Sequence, residues 1–251
     1  MTSTFRLLAY STVFALTTLS TAQAGSFTTE QKTELQEIIR SYLLENPELL
    51  RDMAANLEAK DKQAEDAMRS KALTTLGPEL FKNANDPSIG NPKGDVTIVE
   101  FMDYNCGWCK KSMSEVSTLL KSDLNLRVVF KEFPIFGEHS EYAARAALAA
   151  AKQNKYWELH QAMFSHDGQV TTDVVNQLAE GLGLDMSKLK TDIGSKEIGE
   201  HIAANMQLGK LLAINGTPAF IIDDQVHGGY LPLEGMVASI AEVRAKGCKL
   251  C

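Results

Sequence analysis

Four cysteines fall in two C-x-x-C pairs, Cys106-Gly107-Trp108-Cys109 and Cys248-Lys249-Leu250-Cys251. Two thiols so spaced can close a small disulfide or supply half of a thiolate metal site. The first pair lies between a strand-like run, Val96 to Met102, and a segment 107–121 that reads as helix. A cysteine at a helix N-terminus faces unpaired N–H groups and the positive end of the macrodipole, which favour its thiolate. Cys106 is therefore expected to be the exposed nucleophile. Cys109, one turn inside, is expected to be buried and to resolve the mixed disulfide, so that the pair cycles through a Cys106–Cys109 bond. Lys110 and Lys111 add positive charge, directed to solvent. The competing chemistry is zinc or copper(I) binding, which needs Cys248 and Cys251 to meet the first pair. A tryptophan between cysteines at a strand-to-helix edge favours the redox reading.

The second pair reads as a local tail disulfide, Cys248–Cys251, with no catalytic part, because Gly247 leaves the segment little structure to act from. An intermolecular link and a relay pair for Cys106 are the alternatives. His139, His160, His166, His201 and His227 show no ligand spacing and read as ordinary surface or satisfied residues. The nine methionines do not cluster as M-x-x-M. No metal site and no cofactor are expected.

The elements that must hold the first pair follow from periodicity. Val96–Met102 is almost continuously apolar, as in a central strand buried on both faces. Residues 126–133 form a second strand and 219–222 a third; Asp223-Asp224 turns into Gln225-Val226-His227. The chain between Ser140 and about Leu212 reads as a succession of helices, and 233–245 as a last one. Strand, helix, strand, helices, hairpin, helix is an α/β pattern with a helical insertion. Ahead of it, residues 28–76 read as helix, with Thr28 and Thr29 as caps and a break at Asn46-Pro47. Leu35, Ile38, Ile39, Tyr42 and Leu43, then Leu50, Met53 and Leu57, make a narrow apolar seam, which suits self-association. Gly77-Pro78 and Asn83–Pro87 are turn-rich and mark a boundary.

Length and composition agree with one sizeable domain plus an appendage: 251 residues, 44% hydrophobic, 23% charged. A net charge of −7 offers no electrostatic footprint for nucleic acid. Leu7 to Leu19 is apolar behind Arg6, within the ~7–15 residues of a signal h-region, and Ala22-Gln23-Ala24 supplies small residues for cleavage after Ala24. A transmembrane anchor needs ~20 apolar residues, more than this run has. An exported chain meets oxidants, and its disulfides persist.

The run from Val99 to Lys111 (VEFMDYNCGWCKK) resembles the active-site strand and helix of DsbA-like thiol–disulfide oxidoreductases, a branch of the thioredoxin superfamily. The likeness extends through Lys131-Glu132-Phe133-Pro134-Ile135, the alanine-rich stretch 143–151, Tyr156-Trp157 with His160, and Asn215-Gly216-Thr217-Pro218-Ala219-Phe220. The resemblance implies a thioredoxin fold with an inserted helical domain, preceded by a helical extension. The corresponding divisions are a signal peptide at 1–24, an arm at 25–82, and a DsbA-like domain at 83–251 with its insertion at about 139–212. It implies that Pro218 is cis and faces the cysteines, and that Thr217 offers backbone groups to a substrate strand. It also implies that Glu100 is a buried acid handling the proton of Cys109; an edge-exposed glutamate is the alternative. Trp108 is read as a docking surface beside the nucleophile, or as a plain helix-start aromatic.

Gly-Trp stands where the strongly oxidising members have Pro-His, so Cys106 should be less acidic than theirs. Gly-aromatic is closer to disulfide isomerases and to ScsC-type members, whose N-terminal extensions bring catalytic domains together. The expectation is a periplasmic enzyme forming or reshuffling disulfides in exported proteins, served by a membrane redox partner and oligomeric through residues 25–76. The alternatives are a copper- or zinc-handling protein using both cysteine pairs, and a non-catalytic scaffold using the arm.

Overall fold

The computed structural model describes residues 27–251. The expected signal peptide and its cleavage after Ala24 lie outside the described residues. Two compact units result, one through Ala59 and one from Lys60 to Cys251.

In the first unit, helix α1 (Thr29–Glu45) starts at Thr28, whose side chain and that of Gln31 form a capping box. The chain breaks at Asn46-Pro47 and resumes as α2 (Glu48–Phe81). No residue of α1 is buried. Its apolar seam is open, with Ile38, Ile39 and Tyr42 each more than half exposed, and Leu50, Met53 and Leu57 continue the exposure on α2.

The second unit is built on a five-stranded sheet in the order β1 (Ser88–Gly90), β3 (Leu126–Glu132), β2 (Val96–Met102), β4 (Ala219–Ile222), β5 (Gln225–Gly228). β2 and β3 run parallel; the other pairings are antiparallel. Every residue of β2 is buried, as its nearly continuous apolarity predicts. Helix α3 (Gly107–Ser122) follows β2, and α4 to α8 lie between β3 and β4: Glu138–Ala151, Tyr156–Ser165, Thr172–Gly181, Met186–Ile193 and Lys196–Leu211. Helix α9 (Leu233–Lys246) follows the β4–β5 hairpin. This is the expected thioredoxin fold with a helical insertion.

Alternation along the strands splits the core. Ile98, Met102, Val128, Phe130, Phe220 and Ile222 face α3, α9 and the inserted helices. Val99, Phe101, Val129 and Ile221 face α8 and the end of α2, where Leu73, Leu80 and Phe81 are buried.

That second layer corrects one expectation. Gly77-Pro78 does not end the helix; α2 runs on to Phe81 with Pro78 inside it. Proline removes one N–H three residues before the end, a modest loss beside the burial of two large side chains. β3 also caps the last turn: Arg127 donates to Phe81 O and the fully buried Lys131 to Glu79 O. Cations at a helix C-terminus are favourable. Lys131 is in turn paired with buried Asp86. The edge strand β1 was not anticipated; three residues carry too little pattern.

Candidate active site

Cys106 is the N-cap of α3, and its Sγ accepts the N–H of Cys109 at 3.4 Å. The two are free thiols here. Cys109 is fully buried, as expected. Cys106 is not the projecting nucleophile of the sequence reading: it is only 4% exposed. Its Sγ is tucked against the Thr217 carbonyl, to which it donates at 3.2 Å. The Thr217–Pro218 bond is cis.

The electrostatics divide the thiols. Cys106 is lowered to about 6, first by the hydrogen bond from the Cys109 thiol, then, against its burial, by the Thr217 side chain and the N–H groups of Cys109 and Trp108. Burial pushes Cys109 far above the thiol range, and the Cys106 hydrogen bond and the Glu100 charge add to it. Glu100 is 3% exposed, which excludes the edge-exposed alternative. Burial raises it to about 8, with the Cys106 charge contributing. A carboxyl neutral near pH 7, electrostatically coupled to both sulfurs, is matched to holding a proton for Cys109. Thr217 Oγ1 is buried without a partner while Cys106 is a thiol. The Thr217 side chain is one of the groups that favour the Cys106 thiolate.

Trp108 is 57% exposed and does not lie alone. Its ring packs at a tilt against Tyr230, with centroids 5.4 Å apart, and Lys111 Nζ lies 4.3 Å from the Tyr230 ring. Tyr230 Oη donates to Glu115 Oε1 at 2.7 Å, which raises the phenol to about 12. Tyr230 is invisible to sequence reasoning, because it reaches the site from beyond the hairpin. Lys110 is not directed to solvent: its Nζ donates to His166 O and Gly168 O at 2.9 and 2.6 Å.

Behind the cysteines, buried Asp103 accepts from Asn105 N and Ser140 Oγ at 2.7 Å and from Ile135 N at 2.8 Å. The β2–α3 turn is thereby fixed to the start of α4. Next to it, the Tyr104 and Tyr156 hydroxyls reach Glu132 Oε1 at 3.0 Å, and Tyr104 Oη lies 3.0 Å from His160 Nδ1. His160 is buried, which lowers it to about 3, so it is a neutral core histidine. The i, i+4 spacing of Tyr156 and His160 was its one visible signal.

The second cysteine pair is bonded, Cys248 to Cys251 with Cα atoms 5.8 Å apart. It is not a loose tail. Leu250 packs in the second core layer, over Gly77, and Asp223 accepts the N–H groups of Lys249 and Leu250 at 2.9 and 2.8 Å. Thr97 N, at the start of β2, donates to Cys251 Sγ at 3.4 Å. Cys106 lies past the other end of that strand. The two pairs therefore do not meet, and neither a four-thiolate metal site nor a direct relay to Cys106 forms.

Family comparison matches residues 97–241 to the DSBA-like thioredoxin domain and residues 31–64 to the copper resistance protein ScsC N-terminal domain. Among curated proteins, the Na(+)/H(+) antiporter NhaA 1 of Salinispora arenicola is 28% identical over 62% of this chain and 24% of its own length. The chain thus spans about a quarter of the length of the first curated relatives it matches. The probable disulfide bond formation protein D of Bacillus cereus is 25% identical over 59% of this chain and 74% of that protein. A thioredoxin-like oxidoreductase from Silicibacter pomeroyi is 41% identical, with a TM-score of 0.66 over 67% of this chain and 97% of that one.

Proposed function

The chain belongs to the DSBA-like thioredoxin domain family, and on that footing we propose that it is a thiol–disulfide oxidoreductase acting on exported proteins in the periplasm. The observation that carries this is the Cys106 thiol at the N-terminus of α3, 3.2 Å from the carbonyl of the cis-proline loop and lowered to about 6. In the oxidised form, a substrate thiolate attacks Cys106 Sγ and the electron pair of the Cys106–Cys109 bond leaves on Cys109. Burial makes a Cys109 thiolate costly, so it takes a proton, which Glu100 can give. A second substrate thiolate then attacks the mixed-disulfide sulfur of the substrate and releases Cys106 as a stable thiolate. In isomerisation the reduced Cys106 attacks first, and Cys109 rescues stalled mixed disulfides. Thr217 and Pro218 hold the substrate strand, and Trp108 with Tyr230 makes an aromatic shelf beside it.

The uncovered seam on α1 supports pairing of copies through the arm. Copies so joined would present several Cys106 sites to one misfolded chain, which favours reshuffling over plain oxidation. A membrane redox partner would restore the pair to its working oxidation state. The test is reactivation of a scrambled-disulfide enzyme by the full chain and by a truncation beginning at Lys60, which keeps Leu73 and Leu80 in the core. Reactivation by the full chain, lost in the truncation, identifies an oligomeric isomerase. Oxidation of a reduced substrate by both forms, without reactivation, leaves an oxidase and removes the arm from catalysis.

A further inference from the structure

Cys248 and Cys251 take no part in the chemistry at Cys106, and their surroundings are not those of a staple. A disulfide stabilises chiefly by restricting the unfolded chain, an effect that grows with loop length. A bridge at a sequence separation of 3 restricts little. Both cysteines are half-buried rather than enclosed, and thiol–disulfide exchange depends on such access. The sulfurs are also set among groups that act on charge. Cys251 Sγ accepts the Thr97 N–H at 3.4 Å, and Cys248 Sγ accepts the Cys251 N–H at 3.3 Å. The Asp223 carboxylate, 3% exposed, lies 3.4 Å from Cys248 Sγ. Asp223, Cys248 and Cys251 converge within 4.8 Å.

We propose that Cys248–Cys251 is a second thiol–disulfide exchange centre, reduced by an external dithiol at the pole of the sheet opposite Cys106. A thiolate of that dithiol attacks Cys248 Sγ. The Cys248–Cys251 bond breaks, and its electron pair leaves on Cys251 Sγ beside the Thr97 N–H. Departure on the other sulfur is disfavoured, because the Asp223 carboxylate repels a thiolate on Cys248. The second thiolate of the external dithiol then attacks its own sulfur in the mixed disulfide and releases Cys248. Cys248 takes a proton and, as a thiol, donates to Asp223; Cys251 takes the other. The external dithiol ends as a disulfide, and the pair has gained two electrons and two protons. Pro218 and Asp223 flank β4 at opposite ends, five residues and ~17 Å of strand apart. Electrons therefore pass between the two centres only through another molecule.

The test uses the full-length Cys106→Ser/Cys109→Ser protein, in which Cys248 and Cys251 are the remaining cysteines. It is treated with dithiothreitol, native or unfolded in guanidinium, and thiols are trapped with acid and counted by maleimide mass shift. Native protein is expected to be reduced about tenfold faster than the unfolded chain, as a placed leaving group requires. Resistance until unfolding, or reduction no faster than in the unfolded chain, overturns the proposal. Glutathione, a monothiol, reads the assignment of sulfurs: the trapped mixed disulfide should lie on Cys248, and on both cysteines in the Asp223→Asn variant. Equal attack on the two sulfurs without that substitution overturns the assigned leaving group.

Discussion

At both C-x-x-C pairs the first sulfur accepts the N–H of the second cysteine, at 3.4 Å from Cys109 and 3.3 Å from Cys251. Each pair also has a buried acidic side chain, Glu100 or Asp223. The helix end is where they part. Cys106 caps the N-terminus of α3, where N–H groups and the macrodipole favour a thiolate, whereas Cys248 directly follows Gly247, the C-cap of α9, where the dipole opposes one. The acids part as well. Asp223 is pinned by two backbone N–H groups, while Glu100 has desolvation against it and is raised to about 8. The same four-residue spacing thus places, at one end of the sheet, a thiol lowered to about 6 above a carboxyl raised to about 8. At the other it yields a closed disulfide with a buried carboxylate beside its first sulfur. The motif supplies the ring; its seat on a helix decides the chemistry.

The largest effect that could break this contrast is loss of the nucleophile. Cys106→Ser is expected to lower exchange with a reduced model substrate by ~10³-fold or more, since Cys109, the other thiol on that turn, is fully buried. Cys248→Ser/Cys251→Ser should leave that rate within about twofold, because the second pair lies past the other end of β2. Thiol–disulfide turnover followed by alkylation and mass spectrometry reads both. A comparable loss in the second variant would mean that the two pairs act as one system, and the separation drawn above would fail.

Glu100→Gln sharpens the comparison between the acids. An amide cannot give a proton, so the release of Cys109 should slow by roughly 10²-fold at neutral pH. The deficit should shrink above pH 8, where Glu100 itself has lost its proton. Stability gives an independent reading. The folded value of about 8 lies above the ordinary 4.5, so the contribution of Glu100 is fully present below pH 4.5 and is lost as pH rises through 8. The amide escapes that loss, and the variant should be more stable than the parent at pH 8 by on the order of a few kcal/mol, with little difference at pH 4.5. Denaturant unfolding at the two pH values decides it. A difference independent of pH would leave Glu100 without a proton role.

Much of this was legible in the residues. The nearly continuous apolarity of Val96–Met102 announced a strand buried on both faces, and the position of Cys106 just past its end announced the helix N-terminus. What failed was tertiary. Gly77-Pro78 carries a local stop signal, but burial of Leu80 and Phe81 and capping by Arg127 and Lys131 override it. Cys106 was expected to project, and the Thr217 loop, 111 residues away in sequence, closes over it. Tyr230 joins Trp108 from beyond the hairpin, and Asp223 holds the Cys248 segment from 26 and 27 residues upstream of the N–H groups it accepts. No periodicity reports such pairings. The family resemblance brought Pro218 and Glu100 to notice where spacing alone would not have.

The smallest effect tests how Cys106 is tuned. Thr217 Oγ1 is buried and unpartnered beside the thiol, a cost of ~1–3 kcal/mol for a hydroxyl that ionisation of Cys106 relieves. Thr217→Val removes both the hydroxyl and its cost. The Cys106 value should therefore rise from about 6 by ~1 or less, while α3 still supplies its N–H groups. The stability consequence has a fixed sign. A folded value below the ordinary 9 adds stability to the reduced protein that is full above pH 9 and is lost as pH falls through 6. In the valine variant that loss sets in at higher pH. Thiolate absorbance against pH, in protein whose Cys248–Cys251 bond is intact, measures the shift directly. An unmoved midpoint would assign the acidity of Cys106 to the Cys109 thiol and the α3 N–H groups. At the second pair the Thr97 group facing Cys251 is a backbone N–H, so there the side chain open to substitution is Asp223, beside the other sulfur.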